Sequence, residues 1–213
     1  MTILITGFEP FGGESLNPAH EAVNRLKDKL EYHDVVKRTL PVVFHVALEA
    51  LDAHIKSVSP DIIICVGQAG GRAGISIERV GINIDDARIP DNQNQAPVDQ
   101  PINPNGPAAY FSNLPIKAIT AAITEAGIPA SVSNTAGTYV CNHVLYGLMD
   151  LIHQKYPHVK GGFIHVPFLP SQAVKSPNAP SMHLDDIIKA LEIAALTSCE
   201  IDGDIVESAG TIC

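Results

Sequence analysis

Apolar positions change their period from segment to segment along this chain, and the changes mark out alternating strands and helices. Thr2 to Thr6 is a short, largely apolar run that stops at Gly7, which predicts a strand. Asn17-Pro18 supplies a helix cap followed by a proline suited to a first turn, and Ala19, Ala22, Val23, Leu26 and Leu30 form a helical stripe behind it. Val35 to Leu40 predicts a second strand, and residues 45 to 57 a second helix. Asp61-Ile-Ile-Ile-Cys-Val66 is almost continuously apolar, the pattern of a strand buried on both faces. Helices are expected over residues 115 to 126, 139 to 155 and 182 to 197, with strands near 130 to 133 and 162 to 166.

Such alternation predicts a three-layer α/β/α domain with a mostly parallel, twisted central sheet, spanning residues 1–213 as one unit. Right-handed crossovers put ligand-facing loops beyond the carboxyl ends of the strands, where Gly7, Gly67 and His165 fall. Asp85 to Pro107 breaks the rhythm. It is rich in Pro, Asn, Gln and Asp and reads as an active-site flap or an interface loop. Ser171 to Ser181, with Pro177 and Pro180, reads as a second, mobile loop.

Composition narrows the function. The chain has 14 basic residues against 23 acidic ones, a formal charge of −9, and no Lys/Arg cluster, which argues against nucleic acid or an anionic membrane as partner. The N-terminus lacks the basic and apolar regions of a signal peptide, and no apolar run is long enough to span a bilayer. Cysteines at 65, 141, 199 and 213 have neither zinc-site nor disulfide-framework spacing, so reduced thiols in a cytoplasmic setting are expected.

Three residues suggest nucleophilic chemistry. Cys141, in Asn134-Thr-Ala-Gly-Thr-Tyr-Val-Cys-Asn-His143, falls where a helix should open, with Thr138 as cap; free N–H groups and the helix dipole there favour a thiolate. The plainer reading is a core cysteine, because Cys141, Leu145, Leu148 and Ile152 also share helical spacing. His165 ends a predicted strand and could take the thiol proton, although single strand-end histidines are commonly structural. Glu78 shares strand parity with Val80, Ile82 and Ile84, so it should face an apolar layer and need a donor; His165 is the donor of choice, with Arg72, Arg79 and Arg88 as competing partners.

Two glycine turns, Gly7-Phe-Glu-Pro-Phe-Gly-Gly13 and Gly67-Gln-Ala-Gly-Gly-Arg72, follow strands but match neither a dinucleotide fingerprint nor a phosphate loop. Phe8 and Phe11 could wall a small flat group and Gln68 could hydrogen-bond it, or the two rings could fold back into the core. No metal or other cofactor is expected: Cys141 and His143 stand two residues apart without further ligands at metal-site spacing.

The ordered blocks Thr6-Gly-Phe-Glu-Pro-Phe-Gly-Gly13, Val66-Gly-Gln-Ala-Gly-Gly-Arg72, Glu78-Arg79, Ala87-Arg-Ile-Pro-Asp-Asn92, Asn134 to Asn142 and His165-Val-Pro-Phe-Leu-Pro170 resemble the pyroglutamyl-peptidase I (pyrrolidone-carboxylate peptidase) family of cysteine peptidases. The resemblance implies Cys141 as nucleophile, His165 as acid/base and Glu78 as orienting carboxylate. It implies that Phe8 and Phe11 sandwich a lactam ring, that Gln68 lies near the substrate amide, that Arg88 lies near the catalytic centre, and that Ile89, Tyr139 and Val140 belong to the pocket. It further implies peptides bearing N-terminal pyroglutamate as substrates and a cytoplasmic homo-oligomer, a tetramer or dimer. At Ser171 many relatives carry Glu. Two rival classes would use the same scaffold: a nucleoside- or phosphate-transferring enzyme, and a non-catalytic interaction protein.

Overall fold

The computed structural model describes residues 1–210. Nine strands follow in chain order: β1 (Thr2–Phe8), β2 (Lys29–Leu30), β3 (His33–Leu40), β4 (Ile62–Gln68), β5 (Ile75–Glu78), β6 (Val80–Ile82), β7 (Ala109–Phe111), β8 (Ala130–Ser133) and β9 (Lys160–Val166). The helices are α1 (Pro18–Arg25), α2 (Val46–Val58), α3 (Ile116–Glu125), α4 (Val140–Lys155), α5 (Pro170–Ala173) and α6 (Leu184–Glu200). Seven strands make one sheet in the order β2-β3-β1-β4-β9-β5-β8, while β6 and β7 pair separately. Strands β3, β1, β4 and β9 run parallel; β5 is antiparallel to β9 and parallel to β8.

Alternation along the strands feeds two apolar layers. Ile3, Ile5, Ile62, Ile64, Ile164 and Val166 point to the layer shared with α1, α3 and α6. Leu4, Phe8, Ile63, Cys65 and Phe163 point to the opposite layer, shared with α2 and α4. Both faces of the central strands are therefore buried, each Leu or Ile contributing about 1.5–3 kcal/mol, and the result is the expected α/β/α arrangement.

Local expectations fail where tertiary pairing competes with helical spacing. Helix α1 stops at Arg25, and Leu30 lies in β2, paired antiparallel with His33 of β3. Leu26 and Leu30 are still buried, so their spacing registered burial without registering helix. The segment from Ile75 to Ile84 is likewise not one strand: the chain leaves the main sheet after Glu78 and forms β6 against β7. Glu78 is buried, yet Val80 is partly exposed and Ile82 exposed, so their common parity does not put them in one layer. At Gly81 a Cβ would stand 2.7 Å from the Tyr146 backbone nitrogen, which is why a glycine is needed where β6 crosses α4.

The flap from 85 to 107 contains one isolated bridge, Asp85 to Gln100, and is ordered by polar contacts. Buried Asp91 accepts from the backbone N–H groups of Phe44, Gln93 and Gln95, and Asn92 donates its side-chain amide to Pro10 O. The flap is thereby tied to the Gly7–Gly13 turn. The polar stretch from Ser171 to Ser181 opens inside α5, where Gln172 is buried. Among the described residues no helix is long and apolar enough to cross a membrane.

Candidate active site

Three neighbouring strands, β4, β9 and β5, assemble the site on the face covered by α4. In register, Gly67 of β4 lies beside His165 of β9, and His165 beside Ser76 of β5. Glu78, two residues beyond Ser76, projects to the same face as His165. Adjacent strands are about 4.8 Å apart, so the side chains at these positions can meet.

Cys141 reaches this face from the first turn of α4. A Cβ on Gly67 would come within 2.9 Å of Cys141 Sγ and 2.8 Å of the Phe163 ring. The missing side chain is thus what lets the sulfur rest on the sheet next to the His165 position. His165 in turn packs on Phe163, ring centroids 4.8 Å apart.

The imidazole is held through Nδ1, 2.7 Å from Glu78 Oε1, which leaves Nε2 without a hydrogen bond among the described residues. The same Glu78 oxygen accepts from Arg72 Nη1 at 2.6 Å, and Arg72 Nη2 donates to Thr135 O at 2.9 Å. Both partners anticipated for Glu78, the histidine and an arginine, are therefore present together. Burial pulls the Glu78 pKa up, but contact with His165, Ser133 and Arg72 outweighs it and holds the carboxyl below its ordinary value. Burial pushes His165 down; Glu78 opposes this, and the Arg72 charge adds to it. At neutral pH the site therefore holds an ionised carboxylate beside a neutral imidazole.

The helix start departs from expectation. Tyr139 is the N-cap and makes no capping side-chain bond, while Thr138 Oγ1 donates to Asp86 O at 2.7 Å and anchors the flap. Val140 and Cys141 are the first two helical residues, so their N–H groups have no intrahelical acceptor. The sulfur is nonetheless not a resting thiolate: burial, with the nearby Glu78 charge, pushes the Cys141 thiol up to about 12. Cys141 and His165 thus rest as a neutral pair.

A small pocket opens beside the sulfur, lined by Phe8, Phe11, Asn17, Val42, Gln68, Tyr139, Val140 and Cys141. The Phe11 and Tyr139 rings lie 6.1 Å apart, and the Tyr139 hydroxyl donates to Pro90 O at 3.0 Å. No charged side chain lines it. Asn17 spends its side-chain oxygen on Ala19 N and its nitrogen on Glu9 O. Asn17 and Val42 were not anticipated; both lie far along the chain from Cys141, and only the sheet brings them there. Conversely, Arg88 and Ile89 do not line the pocket. Both are exposed on the flap, next to Pro90, whose carbonyl accepts from the Tyr139 hydroxyl. A larger, open groove lies beyond Arg72, along Ser76, Ser131 and Ser133.

His143 has a structural place. Its Nδ1 lies 2.8 Å from Asp85 and its Nε2 accepts from His45 N at 3.1 Å, which fastens the start of the flap to α4 and α2. Among the described residues no group of three or more His, Cys, Asp or Glu side chains could hold a metal ion. Cys65 and Cys199 are free, and Cys213 lies outside the described residues.

Residues 1–201 match the family model described as pyroglutamyl peptidase. The chain belongs to the pyroglutamyl peptidase family. It is 53% identical over 213 residues to the pyrrolidone-carboxylate peptidase of Clostridium botulinum, covering 100% of both chains. Identity to the pyrrolidone-carboxylate peptidase of Escherichia fergusonii is 56% over 210 residues, 98% of each chain. The fold superposes on the crystal structure of pyroglutamyl peptidase I from Bacillus amyloliquefaciens with a TM-score of 0.95 at 52% identity, covering 97% of this chain and 99% of that one. A mutant pyrrolidone carboxyl peptidase from Pyrococcus furiosus gives a TM-score of 0.91 at 44% identity, covering 94% and 99%. The pyroglutamyl peptidase fold thus extends over nearly all of the chain, including the Cys141, His165 and Glu78 segments.

Proposed function

We infer that this pyroglutamyl peptidase family member is a cysteine omega-peptidase that hydrolyses the bond after an N-terminal pyroglutamyl residue. The observation that carries the reading is a thiol resting on the sheet beside a Glu78-held imidazole, at the mouth of a small pocket without charge. A pyroglutamyl end has no α-ammonium group. An anionic anchor would have nothing to hold, whereas an aromatic-walled neutral pocket suits a five-membered lactam.

The neutral resting pair dictates the order of proton transfers. As Cys141 Sγ attacks the pyroglutamyl carbonyl carbon, its proton passes to the unbonded nitrogen of His165, and Glu78 stabilises the imidazolium that forms. The N–H groups of Val140 and Cys141 are placed to receive the developing oxyanion. Collapse of the tetrahedral species breaks the C–N bond, the amine leaves with the imidazolium proton, and a thioester remains. Water then adds to the thioester as His165 takes its proton; the C–S bond breaks, pyroglutamate leaves, and the proton returns to the sulfur. Phe8, Phe11, Tyr139 and Val140 wall the ring, and Gln68 supplies an amide to it.

We extend the reading to one catalytic domain spanning the whole chain, working in the cytoplasm as a homo-oligomer, a tetramer or dimer, on the strength of the family likeness; light scattering on the purified protein tests the assembly. A phosphate- or nucleoside-transferring enzyme would need basic side chains at the pocket, and none line it. The test of the function is release of an aromatic amine from a pyroglutamyl amide. Turnover that iodoacetamide abolishes supports it, and turnover that survives full alkylation of Cys141 refutes it.

A further inference from the structure

Among the described residues Gln68 is the one amide lining the pocket with an unbonded end, and which end that is follows from a chain of bonds reaching back to the main chain. The Leu169 backbone N–H can only donate, and at 3.1 Å it does so to the side chain of Gln172, one half of a capping box at the start of α5. That fixes Gln172 Oε1 toward Leu169, so Gln172 Nε2 faces Gln68. The Gln172 nitrogen must donate, and its acceptor 3.0 Å away is therefore Gln68 Oε1. The remaining end of Gln68 is its NH2 group. Each polarity is set by the preceding one, beginning at a backbone donor whose sense cannot be reversed.

We propose that Gln172 is a positioning residue for substrate recognition: it locks the Gln68 amide so that its NH2 group, a donor only, reads a carbonyl oxygen of the substrate. This deepens the peptidase reading and rests on it. A pyroglutamyl group offers two such oxygens, on the lactam and on the scissile carbonyl. The proposal also accounts for glutamine at position 172. A capping box accepts Glu or Gln equally well, but an ionised Glu cannot pass a donor on to Gln68. Gln172 is buried at 4% exposure and does not line the pocket, so it acts through Gln68 alone.

The two roles of Gln172 are separated by comparing two variants. Gln172→Glu keeps the acceptor for Leu169 N–H, but requires Gln68 to turn its own NH2 toward the new carboxylate and its C=O toward the pocket. Gln172→Met removes the cap and leaves Gln68 free to rotate. A purely structural role predicts that Gln172→Glu is the milder change; inversion of polarity predicts that it is the more severe. The readouts are the affinity for 2-pyrrolidone, the lactam ring alone, by calorimetry, and kcat and KM on a pyroglutamyl amide. Gln172→Glu is expected to lose about tenfold or more, and Gln172→Met less. A loss in 2-pyrrolidone affinity assigns the lactam oxygen, and a loss confined to kcat assigns the scissile one. Should Gln172→Glu fail to fold, Gln68→Glu makes the same inversion, since one carboxylate oxygen still accepts from Gln172 and the other faces the pocket. Wild-type affinity and kcat in Gln172→Glu or its substitute, or a loss in Gln172→Met as large as in Gln172→Glu, overturn the proposal. Failure of the parent reading looks different, because the unaltered enzyme would then release no amine and would not bind the lactam.

Discussion

Arg72 Nη1 stands 2.6 Å from Glu78 Oε1, the same oxygen that holds His165 Nδ1 at 2.7 Å. A fully buried carboxylate is costly without a cation, and the guanidinium supplies one permanently, so the imidazole can stay neutral and ready to accept a proton. Arg72→Met should therefore act in two ways. Glu78 loses its counter-charge, which should destabilise the fold by about 1–3 kcal/mol, less than for a fully buried pair because Arg72 is partly exposed. His165 also loses the positive charge that depresses its pKa, so its pKa rises and the acid limb of kcat/KM moves to higher pH. Urea denaturation and a pH–rate profile check both; an acid limb that stays put or moves down counts against the electrostatic role of Arg72.

Gly67→Ala tests the placement of the sulfur. The new methyl would stand 2.9 Å from Cys141 Sγ and 2.8 Å from the Phe163 ring, closer than carbon contacts allow. The helix start or the ring must shift, at about 1–3 kcal/mol of stability, and a displacement near 1 Å at the nucleophile should cost roughly a hundredfold in kcat. A folded Gly67→Ala protein with unchanged kcat would mean that the sulfur does not work from this position.

Glu78→Gln removes the charge but keeps the shape. Arg72 and His165 share Oε1, so the amide oxygen stays at that position and His165 keeps its proton on Nδ1; what is lost is the negative charge that stabilises the imidazolium formed when the thiol gives up its proton. A fall of about 10²-fold or more in kcat is expected, with 2-pyrrolidone affinity near that of the parent. An unchanged kcat would remove Glu78 from the reaction.

Much of this arrangement was legible in the chain, and the misses share a cause. Strand-end positions located Gly67 and His165 because the apolar runs before them are long and unambiguous. The burial of Glu78 was foreseen, but the parity argument assumed that one strand ran from 75 to 84, and the break at Arg79 is decided by pairing with β7 across a long loop. Asn17 and Val42 enter the pocket through tertiary placement alone, which no local period encodes. Thr138 looked like a cap because of its position before the helix, yet its hydroxyl is taken by Asp86 O. The helix-start rule correctly placed Cys141 near unpaired N–H groups, but it omitted desolvation, which at this site dominates the thiol pKa.

That last difference has a kinetic consequence. With the Cys141 thiol pushed up to about 12, the thiolate fraction in the free enzyme grows about tenfold per pH unit through the neutral range. Inactivation by iodoacetamide should therefore accelerate steeply from pH 7 to pH 9. A rate that is already on a plateau at pH 6 would reveal a preformed thiolate–imidazolium pair instead.

The central claim, that Cys141 carries the acyl group, is tested most directly by mixing the enzyme with excess pyroglutamyl amide, quenching in acid during turnover and mapping the peptides by mass spectrometry. The account predicts one pyroglutamyl group in thioester linkage on the peptide containing Cys141, absent from Cys141→Ala. An acyl group on any other residue, or turnover by a folded Cys141→Ala protein, would contradict it.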